Sequence, residues 1–271
     1  FTIPNELNIL CLMDPKFMYK ALFDVSAETI KELSKDKKYL GAKIGFTSVL
    51  HTWGQNLSLH PHIHMIVPGG GIDSNGKWKN SKKKFFLPVK VVSKLFKGKF
   101  LSYTKKNFDQ RKIKDEEQFQ NIINTCYSKD WVVYTKKPMK SAKHVVKYLG
   151  RYTHRIAISN ARIKKYEDNK VTFSYKDYSD HNQIKEMTLD DTEFFRRYMM
   201  HVLPPNFMKI RHYGFLGNRN KEERIKAVRT ATNTKNPGPL LIDYEQIISD
   251  ILKRDVSICI KCGQKRHYQL E

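Results

Sequence analysis

Three histidines alternate in the run His60-Pro61-His62-Ile63-His64, which continues through Met65-Ile66-Val67 into Pro68-Gly69-Gly70-Gly71. On a β-strand successive side chains point to opposite faces. His62 and His64 therefore project together from one face, while Ile63, Met65 and Val67 pack into the core behind it. Two imidazoles held side by side on a rigid strand make half of a site for a divalent ion. Pro61 removes a ladder donor and places the run at a sheet edge; His60, just before it, sits behind the ligands or faces substrate. The third ligand favoured by this reading is Gln55, through its amide oxygen, with His51 as the alternative. From 41 to 72 there is no Asp or Glu. An ion held by neutral groups alone keeps its full charge, which suits polarising a phosphodiester oxygen. The same lack of a carboxylate counts against a zinc hydrolase acting on a small substrate.

A second pattern lies in Tyr148-Leu149-Gly150-Arg151-Tyr152. Tyr148 and Tyr152 are four apart, so on a helix they stand one above the other. They fall at the border between an apolar face (Ala142, Val145, Val146, Leu149) and a cationic one (Lys147, Arg151, with Arg155 following). By spacing alone they also fit boundary aromatics with buried rings and wet hydroxyls. Charge separates the two readings: from 136 to 165 there are ten Lys or Arg and no Asp or Glu. Phenols set there meet a phosphate backbone, and adjacent cations favour the ionised phenol, a nucleophile. The two patterns together point to metal-assisted cutting and joining of a DNA strand.

The elements that must position these groups follow from periodicity. Helical spacing predicts helices over 14–38, 89–106, 115–127, 141–152, 191–202, 218–231 and 242–252. Residues 43–53 and the histidine run form an antiparallel strand pair joined by a turn at 54–58. Further strands are expected at 131–134, at 171–175 and 184–189 as a hairpin, and at 208–213. Residues 73–76 and 81–84 form a polar, basic loop, 155–159 is extended, and 233–239 is a linker. Helices alternating with antiparallel strands give an α+β class, with helices packed on one face of a sheet.

Composition sets the partner. The 271 residues carry 50 Lys and Arg against 27 Asp and Glu, a net charge of +23. Such an excess calls for an anionic polymer, nucleic acid first. The basic stretches 82–84, 136–165 and 219–229 would contact phosphates. Lys143, Lys147, Arg151, Arg155, Arg162 and His60 are the candidates nearest the chemistry. Trp53 and Trp78 are candidates to stack on unpaired bases, whereas Trp131 reads as core. Four cysteines, Cys11, Cys126, Cys259 and Cys262, are too few and too scattered for a disulfide framework and fit a reducing compartment. No apolar run approaches the ~20 residues of a membrane span. The chain opens on Phe1 rather than Met, which reads as a fragment or a processed chain.

These residues carry a resemblance. His62-Ile63-His64 resembles the His-hydrophobic-His motif of the HUH endonucleases, and Tyr148 with Tyr152 resembles the paired tyrosines of their two-tyrosine branch. Five strings are similar to transposases of rolling-circle insertion sequences of the ninety-one type. They are Leu50-His51-Thr52-Trp53-Gly54-Gln55, His60-Pro61-His62-Ile63-His64, Val67-Pro68-Gly69-Gly70-Gly71, Tyr148-Leu149-Gly150-Arg151-Tyr152-Thr153-His154-Arg155 and Arg211-His212-Tyr213-Gly214.

The resemblance implies an antiparallel, ferredoxin- or RRM-like HUH sheet with the tyrosine helix packed beside it, plus helical additions. It divides the chain into an N-terminal helical segment (1–40), a nuclease core (41–215) and a basic C-terminal segment with a linker and a CxxC (216–271). It implies Mg²⁺ or Mn²⁺ on His62, His64 and Gln55. Tyr148 and Tyr152 would be nucleophiles that form 5′-phosphotyrosine links to single-stranded DNA at transposon ends and transfer the strand to target DNA. A bacterial cytoplasm, at the nucleoid, is the implied setting. The rival readings are a replication initiator or relaxase of the same chemistry, and an inactive DNA-binding remnant. Relatives of this type usually carry a Cys/His zinc module upstream. Cys259-Ile260-Lys261-Cys262-Gly263, with His267 nearby, offers half of a further zinc site, to be completed by another chain or by residues beyond 271.

Overall fold

The computed structural model describes residues 1–82, 86–113, 115–136, 139, 141, 144–146, 148, 150, 157–236, 238, 244–260 and 262–265. The chain divides into two compact units, 1–232 and 233–271.

In the first unit the long predicted N-terminal helix forms as α2 (Pro15–Lys35), preceded by the short α1 (Asn8–Met13). Asp14 is its cap rather than its first residue: the carboxylate accepts the Phe17 N–H at 3.0 Å, and Pro15 follows where no N–H is needed. Met18, Ala21, Leu22, Val25, Ile30 and Leu33 line its buried face. That face meets β1 (Phe46–Trp53), β2 (Leu59–Ile66) and the helix α3 (Val89–Asn107), whose Phe96 and Phe100 are fully buried. The helix α4 (Glu116–Ser128), capped by Asp115, closes the same core.

β1 and β2 pair antiparallel, and β8 (Ile210–Tyr213) joins the other side of β1, giving the order β2-β1-β8. Phe46, Leu50 and Ile63 point into the core. As Pro61 implied, β2 ends the sheet proper, but residues 1–3 run along its outer side. Thr2 bridges His62, and the Ile63 N–H donates to the Phe1 carbonyl at 2.9 Å.

The remaining strands form two further sheets rather than extending the first. β3 (Gly70–Ile72) and β4 (Trp78–Asn80) make a hairpin whose turn is the predicted polar stretch at 73–76. The glycines here allow close backbone approach: a Cβ on Gly70 would fall 2.4 Å from the Lys79 carbonyl oxygen, and one on Gly71 2.5 Å from that of Lys43. β5 (Ile163–Glu167), β6 (Lys170–Asp177) and β7 (Gln183–Asp190) form an antiparallel sheet backed by α5 (Asp191–Met199). Val171, Phe173 and Phe194 form its small core together with Leu57. The expected hairpin is present; β5 was not anticipated, because all of its residues are exposed and three of five are charged.

The strand expected at 131–134 is not one. Trp131 and Val133 are buried, yet the segment joins no sheet; it is tied by the Thr2 N–H donating to the Val132 carbonyl, by Ser93 Oγ donating to the Trp131 carbonyl at 2.6 Å and by the Trp131 indole N–H donating to the Cys126 carbonyl at 2.9 Å. Of the helix expected at 141–152, residues 144–146, 148 and 150 are helical. Residues 142, 143, 147, 149, 151 and 152 of it, and 155–156 of the stretch expected to be extended, lie outside the described residues, while 157–159 join no strand. The basic helix α6 (Lys221–Ala231) ends the unit.

Among its described residues the second unit holds the helix α7 (Tyr244–Leu252) and a small turn closed by a bridge between Ile258 and Lys265. Among the described residues no helix is long and apolar enough to cross a membrane.

Candidate active site

The β1–β2 pairing sets the site. His51 lies directly opposite His62, and Val49 opposite His64. All point away from the helical core, because Leu50 and Ile63 occupy the alternate positions. Three imidazoles thus converge on one sheet face, and their ligand atoms lie within 4.8 Å of one another.

Hydrogen bonding fixes how these rings present themselves. His62 donates from Nδ1 to the carbonyl of His60 at 2.7 Å, which leaves the Nε2 lone pair available. That Nε2 is 3.1 Å from Nε2 of His64. Two nitrogens each ~2.1 Å from one ion and at a right angle to each other would stand about 3.0 Å apart, so the pair already has the spacing of two ligands. His51 completes the group, its ring centre 4.6 Å from that of His64 and 5.4 Å from that of His62. Trp53 stacks on it at 4.5 Å and 18°.

Burial pushes the His62 pKa well below its ordinary value, with the neighbouring imidazoles adding to the effect. Burial likewise brings His64 down to about 3, helped by His51 and Lys136. Neutral imidazoles are the form that binds metal. The donor set fits a divalent ion.

Tyr148 meets this cluster. Its hydroxyl is 3.0 Å from Nδ1 of His64, and Lys136 Nζ stands 5.8 Å from its ring centre. One imidazole therefore faces its histidine neighbours with Nε2 and the phenol with Nδ1. Tyr152, Lys143, Lys147, Arg151 and Arg155 lie outside the described residues. His60 is exposed, its ring centre 5.1 Å from that of His62, beside the cluster rather than within it.

Gln55 sits in the β1–β2 loop, where its amide Nε2 donates to the Tyr178 hydroxyl at 3.5 Å. Three donors from the β5–β7 side hold the same loop by successive carbonyls. Arg162 Nη2 donates to Gln55 O, Arg197 Nη1 to Asn56 O at 3.3 Å and His201 Nε2 to Leu57 O at 3.1 Å. Nδ1 of buried His201 is then left to accept from Thr52 Oγ1 at 3.3 Å, and burial lowers its pKa. Leu57 is fully buried at φ +62°, a conformation that only its surroundings can enforce. Arg162 also donates through Nε to the Ser174 carbonyl at 2.7 Å. Much of its guanidinium is committed to protein carbonyls.

Sequence reasoning missed Arg197, His201 and Tyr178. Nothing in the sequence near the histidine run points to them: they come from more than a hundred residues away, and only the tertiary fold brings them to the loop.

Comparison with known proteins identifies the family of the chain. Residues 45–224 match the family model Y2_Tnp, described as "Putative transposase". The chain is 38% identical over 285 residues to "Putative transposase y4qJ" of Sinorhizobium fredii (strain NBRC 101917 / NGR234), covering 100% of this chain and 72% of that protein. It is 29% identical over 274 residues to "Transposase for insertion sequence element IS801" of Pseudomonas savastanoi pv. phaseolicola, covering 99% of this chain and 66% of that protein. No solved structure matches the chain.

Proposed function

This chain belongs to the Y2_Tnp transposase family, and from that membership we propose that it cuts and rejoins single-stranded DNA at the ends of a rolling-circle mobile element by tyrosine chemistry. The observation that carries the reading is the contact of Tyr148 with His64, itself one of three converging imidazoles. An HUH arrangement is supported by the antiparallel β1–β2 pair and the helical residues around Tyr148 beside it.

His62, His64 and a third ligand would hold Mg²⁺ or Mn²⁺. His51 is the third ligand that the side-chain geometry supports, in place of the amide of Gln55 expected from the sequence. The ion, when bound, supplies a Lewis acid to a non-bridging oxygen of the scissile phosphate. His64 orients the Tyr148 phenol through Nδ1. The phenol oxygen attacks phosphorus and forms a 5′-phosphotyrosine ester, while the P–O bond to the 3′ oxygen breaks. That oxygen leaves with a proton as a 3′ hydroxyl. One phosphoester replaces another, so joining to a new 3′ hydroxyl needs no ATP. Tyr152 supplies the second nucleophile, and Lys143, Lys147, Arg151 and Arg155, with His60 at the margin, hold the strand by its phosphates.

The test is incubation with single-stranded oligonucleotides from the element's ends and Mn²⁺, followed by a denaturing gel. A protein–DNA adduct is expected, lost with EDTA and in the Tyr148→Phe/Tyr152→Phe double variant. An undiminished adduct in that double variant would assign the nucleophile elsewhere.

A further inference from the structure

The sequence marks Trp53 as a candidate to stack on unpaired bases. In the structure its indole is half-buried and engaged by the protein itself. It stacks on His51, with ring centres 4.5 Å apart and planes 18° from parallel, and Lys209 Nζ stands 5.0 Å from its ring centre. His201 meets it in a T-shaped arrangement at 6.3 Å. It also packs on the small core that includes Leu57, Phe173 and Phe194, beneath the β5–β7 sheet.

The backbone accounts for this placement. β1 and β2 keep a regular register from Thr47 to His51, and the register then shifts before Trp53, whose partner is Leu59. An irregularity of this kind bends a strand and re-aims a side chain. Residues two apart on a regular strand stand about 6.5 Å from each other; here the bend coincides with two rings that close to 4.5 Å. Lys209 is fixed against the same strand, because its carbonyl accepts the Leu50 N–H at 3.0 Å. Burial lowers its pKa, and the indole offers the ammonium an electron-rich face in return.

A metal-facing imidazole must hold its ring plane as well as its position. The last torsion of a histidine side chain is broad, so the plane needs a restraint. His62 has one in the His60 carbonyl on Nδ1, and His64 in the Tyr148 hydroxyl. For His51, a broad flat neighbour does the same: the imidazole cannot turn about its Cβ–Cγ bond without giving up the stack.

Resting on the reading of His51 as third ligand, we infer that Trp53 is a positioning residue of the metal centre rather than a platform for nucleobases. It sets the plane of the His51 ring and ties that ligand to the core of the β5–β7 sheet, with Lys209 holding the indole in place.

The experiment measures Mn²⁺ binding to the whole chain by calorimetry, without DNA. Trp53→Ala is expected to weaken binding roughly three- to tenfold, the scale of one aromatic pair, and Trp53→Phe to keep most of the affinity. In a His51→Ala background the effect of Trp53→Ala should vanish, because the indole then has no ligand to hold. Co²⁺ should quench a share of the wild-type tryptophan emission that is missing from Trp53→Phe, a measurement that stands even if the alanine variant misfolds. Metal-free affinity for a single-stranded oligonucleotide, read by anisotropy, should change less than about twofold in Trp53→Ala; a base platform would lose about fivefold or more. Unchanged Mn²⁺ affinity in Trp53→Ala, an equal loss in the His51→Ala background, or that fivefold fall in oligonucleotide affinity would each overturn the inference while the histidine cluster kept its ion. If the wild-type chain binds no Mn²⁺, the metal reading of the cluster itself fails and takes this inference with it.

Discussion

At the scale of single residues, His62 and His64 divide the work between their two ring nitrogens. Each is turned so that Nε2 faces the other, while Nδ1 is held by a carbonyl in one case and a phenol in the other. Replacing either by Ala should remove an ion ligand without touching the basic surface. The expected outcome is loss of cleavage by several kcal/mol of transition-state stabilisation, on the order of a thousandfold. Single-strand affinity, measured by anisotropy without metal, should change less than about twofold, the scale of one uncharged contact. That His62 and His64 share one face of the sheet was legible because strand alternation is a local rule. His51 could be read only as the alternative to Gln55, since its place beside them rests on register: a slip of one residue against β2 would turn it into the core. Gln55 was chosen for its chemistry, and its amide instead meets Tyr178, a partner 123 positions away.

His201 carries a pH consequence. Its folded pKa lies below the ordinary 6.5 because of burial, so the unfolded chain takes up its proton first as pH falls. Stability is therefore complete above about pH 6.5 and declines below it, by about 1 kcal/mol per pH unit from this residue. His62 and His64 add in the same direction. Urea midpoints of the metal-free protein should drop between pH 7.5 and 5.5, and should drop less in His201→Ala. That variant should itself cost about 1–3 kcal/mol at pH 7.5, since it strands the Leu57 carbonyl and the Thr52 hydroxyl.

At the scale of elements, the short loop between β1 and β2 is where the β5–β7 side holds the histidine-bearing strands. Arg197 is itself anchored by Glu193, at 2.7 Å. Arg197→Ala should raise the Mn²⁺ concentration that half-saturates adduct formation several-fold, by loosening the loop, and leave DNA affinity nearly unchanged. Arg162→Ala is the sharper case. If its main task is holding the loop, the Mn²⁺ dependence shifts; if it is a phosphate ligand, affinity falls and the Mn²⁺ dependence stays. Helices with a clear apolar face, such as α2 and α3, were legible to within a few residues. The exposed strand β5 was not, because Lys164, Lys165 and Glu167 give no alternating signal. Trp131-Val132-Val133-Tyr134 misled for the opposite reason: β-branched and aromatic residues there fill the core without joining a ladder.

For the whole molecule, a charge of +23 makes binding a matter of displaced counterions. If at least six phosphates are neutralised, affinity for a single-stranded oligonucleotide should fall by roughly 300-fold or more between 50 and 200 mM salt. A titration series by anisotropy reads this directly, and a shallow slope would mean that the basic surface is mostly bystander. Charge and composition were the most legible features of all, needing no fold. The division at 232/233 was less so, because a linker-like stretch in sequence does not say which side of it each neighbouring helix will pack.

The lining of β2 by residues 1–3 has one last bearing on how a substrate reaches this protein. With that flank hydrogen-bonded by its own chain, the histidine strand offers no open row of amides for a visitor to zip onto. Nucleic acid must instead descend from above, onto imidazole and phenol side chains. Trimming those first few residues would expose a sticky flank, and the first symptom would be self-association rather than lost chemistry.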